Sequence, residues 1–464
     1  MKETIKKILN SQREFFKTGK TLDISFRKEQ LAKLRDAIKR HENEMIAALA
    51  QDLGRSEAEA YFCDIGSVVA EINETLRGIN KWSKPELHFS GFLCFPSLIT
   101  RVYKKPYGCV LIISPFNFPF MLSLGVLAAA IAGGNTALIR PSSKSPACSS
   151  LLQKIIAETY DASYVSVITG GHDVADLCLE QRFDKIFYTG SPRVAKHVME
   201  CAAKNLTPVA FELGGENGNW AIVRKDADIK DAVRKISFFK VLNSGQICIN
   251  VNQVAVAEEI AGEFIEELRK KFVSYPENPL ENADYAHLID RNAYEKCVRD
   301  CERYRDRIVC GGIGDENNLR FMPTVIYPVA EDEEIVQREL FSPILPVITY
   351  KDGEIEKILE TIESRERGLA LYVFTNDGAW AEKTMKKMNF GGGCINEVCL
   401  HIMVKGVPFN GTGHSGTGAY HGEWGFREFT YPCTVLKGSR RFNLSLREHP
   451  YTEKKLRMIR FFEK

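Results

Sequence analysis

Gly108-Cys109-Val110-Leu111-Ile112-Ile113-Ser114-Pro115-Phe116-Asn117-Phe118-Pro119 decides the fold of this 464-residue chain. Its first half is a continuous apolar run, suited to a strand buried on both faces. A loop bounded by prolines follows, and the apolar stretch to Ala132 then reads as a helix. Gly133-Gly134-Asn135 turns the chain into the next strand, Thr136 to Ile139. The unit recurs. Strand Val165–Ile168 leads through Thr169-Gly170-Gly171 into a helix near Ala175, and strand Lys185–Tyr188 leads through Thr189-Gly190-Ser191-Pro192 into a helix near Arg193. Repeated strand–loop–helix units predict an α/β fold with a parallel, doubly wound sheet. Ligands in such sheets bind beyond the carboxyl ends of the strands, where Asn117, Arg140, Gly170 and Ser191 are expected.

Upstream, residues 1–85 read as helical, with Leu31, Leu34 and Ile38 on one face. Residues 86–105 change character: Phe92, Leu93, Phe95, Leu98, Ile99, Val102 and Tyr103 sit among Pro, Ser and Gly. Strands leaving the main body for an oligomer contact and a plain surface hairpin fit this segment equally well. Downstream, a strand from Thr207 to Phe211 ends in Glu212-Leu213-Gly214-Gly215, and a second α/β unit runs to about residue 410. A further extension at Phe429–Lys437 precedes a tail rich in Lys and Arg, read as solvated charge.

The chain is too long for one core, so two or three domains are expected. A formal net charge of +2 gives no global pull towards nucleic acid or an anionic membrane. The charged N-terminus lacks a signal-peptide pattern, and the longest apolar run is shorter than a membrane span. Thirteen cysteines without a C-x-x-C pair favour free thiols in a reducing cytoplasm over disulfides or zinc. No metal site is expected: His401, His414 and His421 are too far apart for a helical pair.

Several residues are candidates for chemistry. Cys248 follows the small-residue turn Asn243-Ser244-Gly245-Gln246-Ile247, although an inert thiol is the commoner use of a cysteine. Glu212 interrupts an apolar strand end, where a partly exposed sheet carboxylate is the bland alternative. A thiol that attacks and a carboxylate that activates water make a covalent-catalysis pair. Asn117 is a turn former or an amide donor to an oxyanion. Gly190-Ser191 at a helix start is an ordinary cap or a phosphate contact. Gly411-Thr412-Gly413-His414-Ser415-Gly416 fits G-x-G-x-x-G but is rejected as a dinucleotide fingerprint. The following Ala419–Gly425 does not read as a helix, and no acidic residue stands about 20 positions on.

Ordered along the chain, Ser114–Pro119, Phe187–Ser191, Phe211–Gly215, Gly245–Cys248, Glu339-Leu340-Phe341-Ser342-Pro343 and Pro408–Gly411 resemble the aldehyde dehydrogenase superfamily, from about Gln12 to Leu436. Gln12–Phe16 and Gly418–Gly422 look most like its class 3 branch, which includes fatty and aromatic aldehyde dehydrogenases. The resemblance implies NAD(P)-dependent oxidation of an aldehyde to the acid. Cys248 would form a thiohemiacetal and then a thioester, Asn117 would stabilise the oxyanion, and Glu212 would activate the hydrolytic water. Ser114, Arg140, Ser143, Gly170, Gly190, Ser191, Leu213, Glu339 and Phe341 would bind the cofactor. Tyr61, Phe118 and His421 would line the substrate tunnel, and their aromatic character suggests medium-chain aliphatic or aromatic aldehydes. The implied architecture is a Rossmann-type cofactor domain (1–85 and 106–212), an α/β catalytic domain (213–410) and a small β oligomerisation extension (86–105 and 429–437). A return segment (411–428) and a basic tail (438–464) complete it. A cytoplasmic homodimer without a membrane anchor is expected.

Departures from the family pattern bear on these expectations. Glu216 stands where Lys is usual, Arg140 replaces Lys, and Ala195, Ser342 and Asn410 replace frequent glycines. Ser143 stands where many NAD-preferring relatives carry a Glu that would repel a 2′-phosphate. With Arg140 and Lys144 nearby, NADP is expected to be accepted, alone or beside NAD. The alternative activity is a coenzyme A-acylating dehydrogenase or acyl reductase, against which Glu212 argues. A non-catalytic binding protein on the same fold would have no need of Asn117, Glu212, Cys248 and Glu339 together.

Overall fold

The computed structural model describes residues 1–275 and 277–463. Five parallel strands form the body of the first sheet, in the order Val209–Leu213, Lys185–Gly190, Cys109–Ile113, Thr136–Arg140 and Val165–Val167. The short strand Gly416–Thr417 adds antiparallel at the outer edge, opposite Glu212 and Phe211. Cys109–Ile113 is buried along its whole length, as the uninterrupted apolar run requires. The sheet order reverses at this strand: it lies between its successor Thr136–Arg140 and the later Lys185–Gly190. The crevice outside their carboxyl ends is therefore a topological switch point.

The second sheet runs Ile308–Cys310, Thr324–Ile326, Ile344–Tyr350, Val251–Ala257, Asn219–Val223, Ala370–Phe374, Gly392–Ile395. Only the first pair is antiparallel. Helices cover the sheets, and Leu31, Leu34 and Ile38 are fully buried on the helix Ile24–Arg40. A third sheet joins Glu86–Phe89, Ile99–Pro106 and Thr430–Leu436, all antiparallel. The two segments outside the α/β pattern thus pair with one another. Among the described residues no helix is long and apolar enough to cross a membrane.

One local reading is corrected. Gly422–Glu428 is a helix, although its composition is poor for one. The Glu71 carboxylate accepts the Gly422 N–H at 2.8 Å and Phe426 is buried, so tertiary contacts override weak propensity. The basic tail also carries a helix, Glu453–Phe462, capped by the Thr452 side chain. Its Phe462 packs on Phe92 of the extension at 5.8 Å.

Candidate active site

The segment before Cys248 owes its small residues to close packing. Asn243, Ser244 and Gly245 adopt positive φ of 51°, 51° and 77°. A Cβ on Gly245 would lie 2.2 Å from the Ser342 carbonyl oxygen, so only glycine fits both the backbone and the space. This turn presses the cysteine segment onto the Phe341–Pro343 loop. The side-chain amide of Asn219 holds the Cys248 carbonyl at 2.8 Å.

Cys248 and Glu212 open onto one cavity of about 360 Å³. Its walls include Phe118, Met121, Leu122, Phe239, Ile402 and Phe409, and its polar lining includes Glu71, Glu74 and His421. Removal from bulk water pushes the Cys248 thiol up to about 12, aided by the carboxylates of Glu339 and Glu212. Burial, and secondarily the charge of Glu428, raises Glu212 well above the usual carboxylate range. Glu212 is 3% exposed and its Oε2 has no hydrogen-bond partner.

Asn117 is buried on the loop after the first apolar strand, and one of its amide hydrogens goes to the Gln246 carbonyl at 3.1 Å. Phe118 and His421 line the cavity, but Tyr61 does not; Phe62 takes that place. Residues 61–65 form one wide helical turn, and the Tyr61 ring folds back over Gly66, where a Cβ would meet it at 3.0 Å.

The expected cofactor residues gather at the switch-point crevice and beside it. Ser191 caps the helix Pro192–Ala203. Glu339 is half-buried, with Oε1 enclosed and without a partner. It abuts Gly214, where a Cβ would come within 2.3 Å of Oε1. Burial pushes its carboxyl up to about 7, against the pull of Lys296 and Lys240. Phe341, at φ 54°, meets Phe116 edge-on at 5.9 Å. Leu213 is buried, and the hydroxyl of Ser114 pairs with Ser123 at 2.6 Å.

The charge expected near Ser143 is less free than its sequence suggests. Ser143 is exposed. Arg140 is buried, and its Nη2 donates to the carbonyls of Gly170 and Gly171 at 3.1 and 2.6 Å. Lys144 pairs with Asp290 at 2.7 Å. Glu216, the reversed charge, bonds His414 at 2.9 Å and faces Lys196 at 3.8 Å. Ala195 is buried and Ser342 keeps a buried hydroxyl without a partner.

Residues 1–435 match the Aldehyde dehydrogenase family. The chain belongs to that family. It is 36% identical over 450 residues to the 4,4'-diaponeurosporen-aldehyde dehydrogenase of Staphylococcus aureus, covering 97% of each chain. It is 34% identical over 459 residues to Aldehyde dehydrogenase family 3 member H1 of Arabidopsis thaliana, covering 98% of this chain and 93% of the relative. The solved substrate-bound state of Staphylococcus aureus AldH superposes with a TM-score of 0.94 at 36% identity, covering 99% of each chain. The resemblance to class 3 members and the aldehyde dehydrogenase fold are thereby shown, and the protein is an oxidoreductase of aldehydes. The family uses NAD or NADP.

Some polar residues of this aldehyde dehydrogenase site carried no legible signal. Arg55, Glu59 and Asp64 are charged residues of a segment that reads only as helical, yet all three are buried; Arg55 and Glu59 bond Asn243, and Arg55 joins Asp64 to the Asn117 carbonyl. Asn219 was open to detection, as a lone amide opening the apolar strand Asn219–Val223.

Proposed function

We propose that the protein oxidises medium-chain aliphatic or aromatic aldehydes to carboxylic acids, with Cys248 as nucleophile and Glu212 as hydrolytic base. The observation that carries this reading is the shared apolar-walled cavity into which both side chains open. The Cys248 sulfur adds to the carbonyl carbon. The free amide hydrogen of Asn117 and the Cys248 backbone N–H donate to the oxygen as it gains charge. Glu212 takes a proton from the water that cleaves the thioester, and its raised affinity for protons suits that task.

The residues fit a dinucleotide: Glu339 presents an enclosed, partnerless carboxylate oxygen beside Gly214, a cradle that a Cβ would fill. Glu339 would hold the ribose next to the nicotinamide, and Phe341 would pack beside it. Gly190 and Ser191 would meet the pyrophosphate, Ser114, Gly170 and Leu213 would line the groove, and Arg140 and Ser143 would lie by the adenosine ribose. When bound, the nicotinamide supplies the hydride acceptor for the tetrahedral adduct on Cys248.

The cavity walls favour an uncharged chain or ring, and the lining carboxylates Glu71 and Glu74, set against one lining cation, Lys405, disfavour anionic aldehydes. The Staphylococcus aureus relative is named for an aldehyde, 4,4'-diaponeurosporen-aldehyde, which accords with an aldehyde substrate. The division into a cofactor domain, a catalytic domain and a β extension that pairs two subunits belongs to the same reading. Cys248→Ser is expected to abolish aldehyde-dependent cofactor reduction while the fold, followed by circular dichroism, persists. Reduction at an unchanged rate would remove Cys248 from the mechanism. Acid release is expected without coenzyme A, and strict dependence on it would favour the acylating activity.

NADP is expected to be turned over as well as NAD, because Ser143 offers a 2′-phosphate no repelling carboxylate. With Arg140 and Lys144 already engaged, that absence carries the argument. Ser143→Glu should lower kcat/KM for NADP by roughly tenfold, about 1.4 kcal/mol, and leave NAD little changed. No measurable NADP turnover in the unmodified enzyme would sink the expectation.

A further inference from the structure

Arg55 is fully buried at the meeting point of three segments. Its Nε donates to the Asn243 Oδ1 at 3.0 Å, ahead of the cysteine. Its Nη2 donates to the Asn117 carbonyl at 2.5 Å, and its Nη1 to the Asp64 Oδ2 at 2.5 Å. Asp64 in turn accepts the backbone N–H groups of Phe120 and Met121 at 3.0 and 2.7 Å. The Asn243 amide closes the ring, donating to the Asn117 and Gln246 carbonyls at 3.1 and 3.0 Å. Glu59 accepts the Asn243 N–H at 2.6 Å and faces Arg55 at 3.8 Å.

A guanidinium offers its donors as a rigid, planar fork, so the segments it joins are fixed in angle as well as distance. Burying this charge among two carboxylates is costly and is a poor way to add stability alone. The groups it ties together are those the proposed chemistry needs. The Asn117 backbone is held from its carbonyl, and its side-chain amide is anchored by one hydrogen on Gln246. The second amide hydrogen is left for a ligand.

We infer that Arg55, braced by Asp64, is the positioning residue that aims the Asn117 amide at the oxyanion beside Cys248. The inference rests on the reading of Asn117 given above. Arg55 touches no reacting atom; it acts through Asn117, holding its backbone directly and its side-chain amide by way of Asn243 and the Gln246 carbonyl.

Arg55→Met, Arg55→Lys and Asp64→Asn are compared with Asn117→Ala and with the double variant Arg55→Met/Asn117→Ala. The full-length enzyme is used, with saturating cofactor. Loss of one oxyanion donor slows the chemical step by about 10²–10³-fold. Arg55→Met is expected to slow the first turnover of cofactor reduction by about 10²-fold, with the aldehyde KM changed less than about threefold. Arg55→Lys, which keeps the charge but not the fork, is expected to recover only a small part of that rate, and Asp64→Asn to fall between Arg55→Met and wild type. The double variant should be no slower than Asn117→Ala alone, since both act on one donor.

Additive losses, or a change in KM alone, would overturn the inference, because a merely structural arginine would not act through Asn117. Should Arg55→Met fail to fold, Arg55→Lys and Asp64→Asn carry the test: equal first-turnover rates in both and in wild type overturn it. If Asn117→Ala itself leaves the first turnover unchanged, the oxyanion reading fails instead, and the two failures are distinguishable.

Discussion

At the scale of single residues, Glu212 and Cys248 are governed by burial. The carboxyl is raised by loss of water, which disfavours its charged form. As base it must be ionised, so hydrolysis is expected to rise with pH through the raised Glu212 value and to fail on the acid side. Glu212→Gln is expected to release about one equivalent of reduced cofactor per site and then stall, since the thioester forms but is not cleared. Rapid mixing separates the two phases; steady turnover by the variant at the wild-type rate would exclude Glu212 as the hydrolytic base. The same shift has a sign for stability. A carboxyl that holds its proton more tightly folded than unfolded supplies stability below its unfolded value of about 4.3, lost as pH rises through the folded value. The melting temperature of Glu212→Gln relative to wild type should therefore increase between pH 5 and pH 8. A constant difference across that range would mean that the carboxyl is not held in its protonated form by the fold.

At the scale of elements, the cysteine turn is set by glycine. Gly245→Ala would force a Cβ to within 2.2 Å of the Ser342 carbonyl at φ 77°, combining backbone strain with a main-chain clash. Loss of several kcal/mol of stability is expected, together with a fall in kcat, measured by thermal unfolding and turnover. A variant with unchanged melting temperature would show that the Phe341–Pro343 loop yields freely. The wound sheets were legible because apolar runs such as Cys109–Ile113 alternate with Gly-rich turns, a local signal. The helix Gly422–Glu428 was not legible: its start depends on Glu71, some 350 positions away in the chain. Tyr61 was misplaced by one residue for a related reason, since a single wide turn alters which side chain faces the cavity. Arg55 and Asp64 were illegible because charged residues at helical spacing look solvated until tertiary packing buries them. Cys248, Asn117 and Glu339 could be picked out because their surrounding stretches resemble a family pattern; thirteen scattered cysteines alone could not single one out.

At the scale of the whole molecule, the three-stranded sheet is out of balance as a lone extension. Leu87, Phe89, Phe92, Ile99, Val435 and Leu436 are all more than two-fifths exposed on it or on its connecting turn. Thr430–Leu436 and Glu86–Phe89 are its two edges, and an uncovered apolar edge invites pairing with another chain. A second copy of this chain supplies the same apolar face, and a two-fold axis would bury both at once. The Glu453–Phe462 helix, seated on Phe92 through Phe462, extends that apolar surface. A homodimer is therefore expected by light scattering. Replacing Val435 and Leu436 with Glu should shift it towards monomer, because charges buried face to face across the axis repel. Cys248 and Glu212 lie in a cavity walled by other elements, so first-turnover chemistry should survive in that monomer. A wild-type monomer at micromolar concentration would remove the subunit contact from this sheet and leave its apolar face to be covered in some other way.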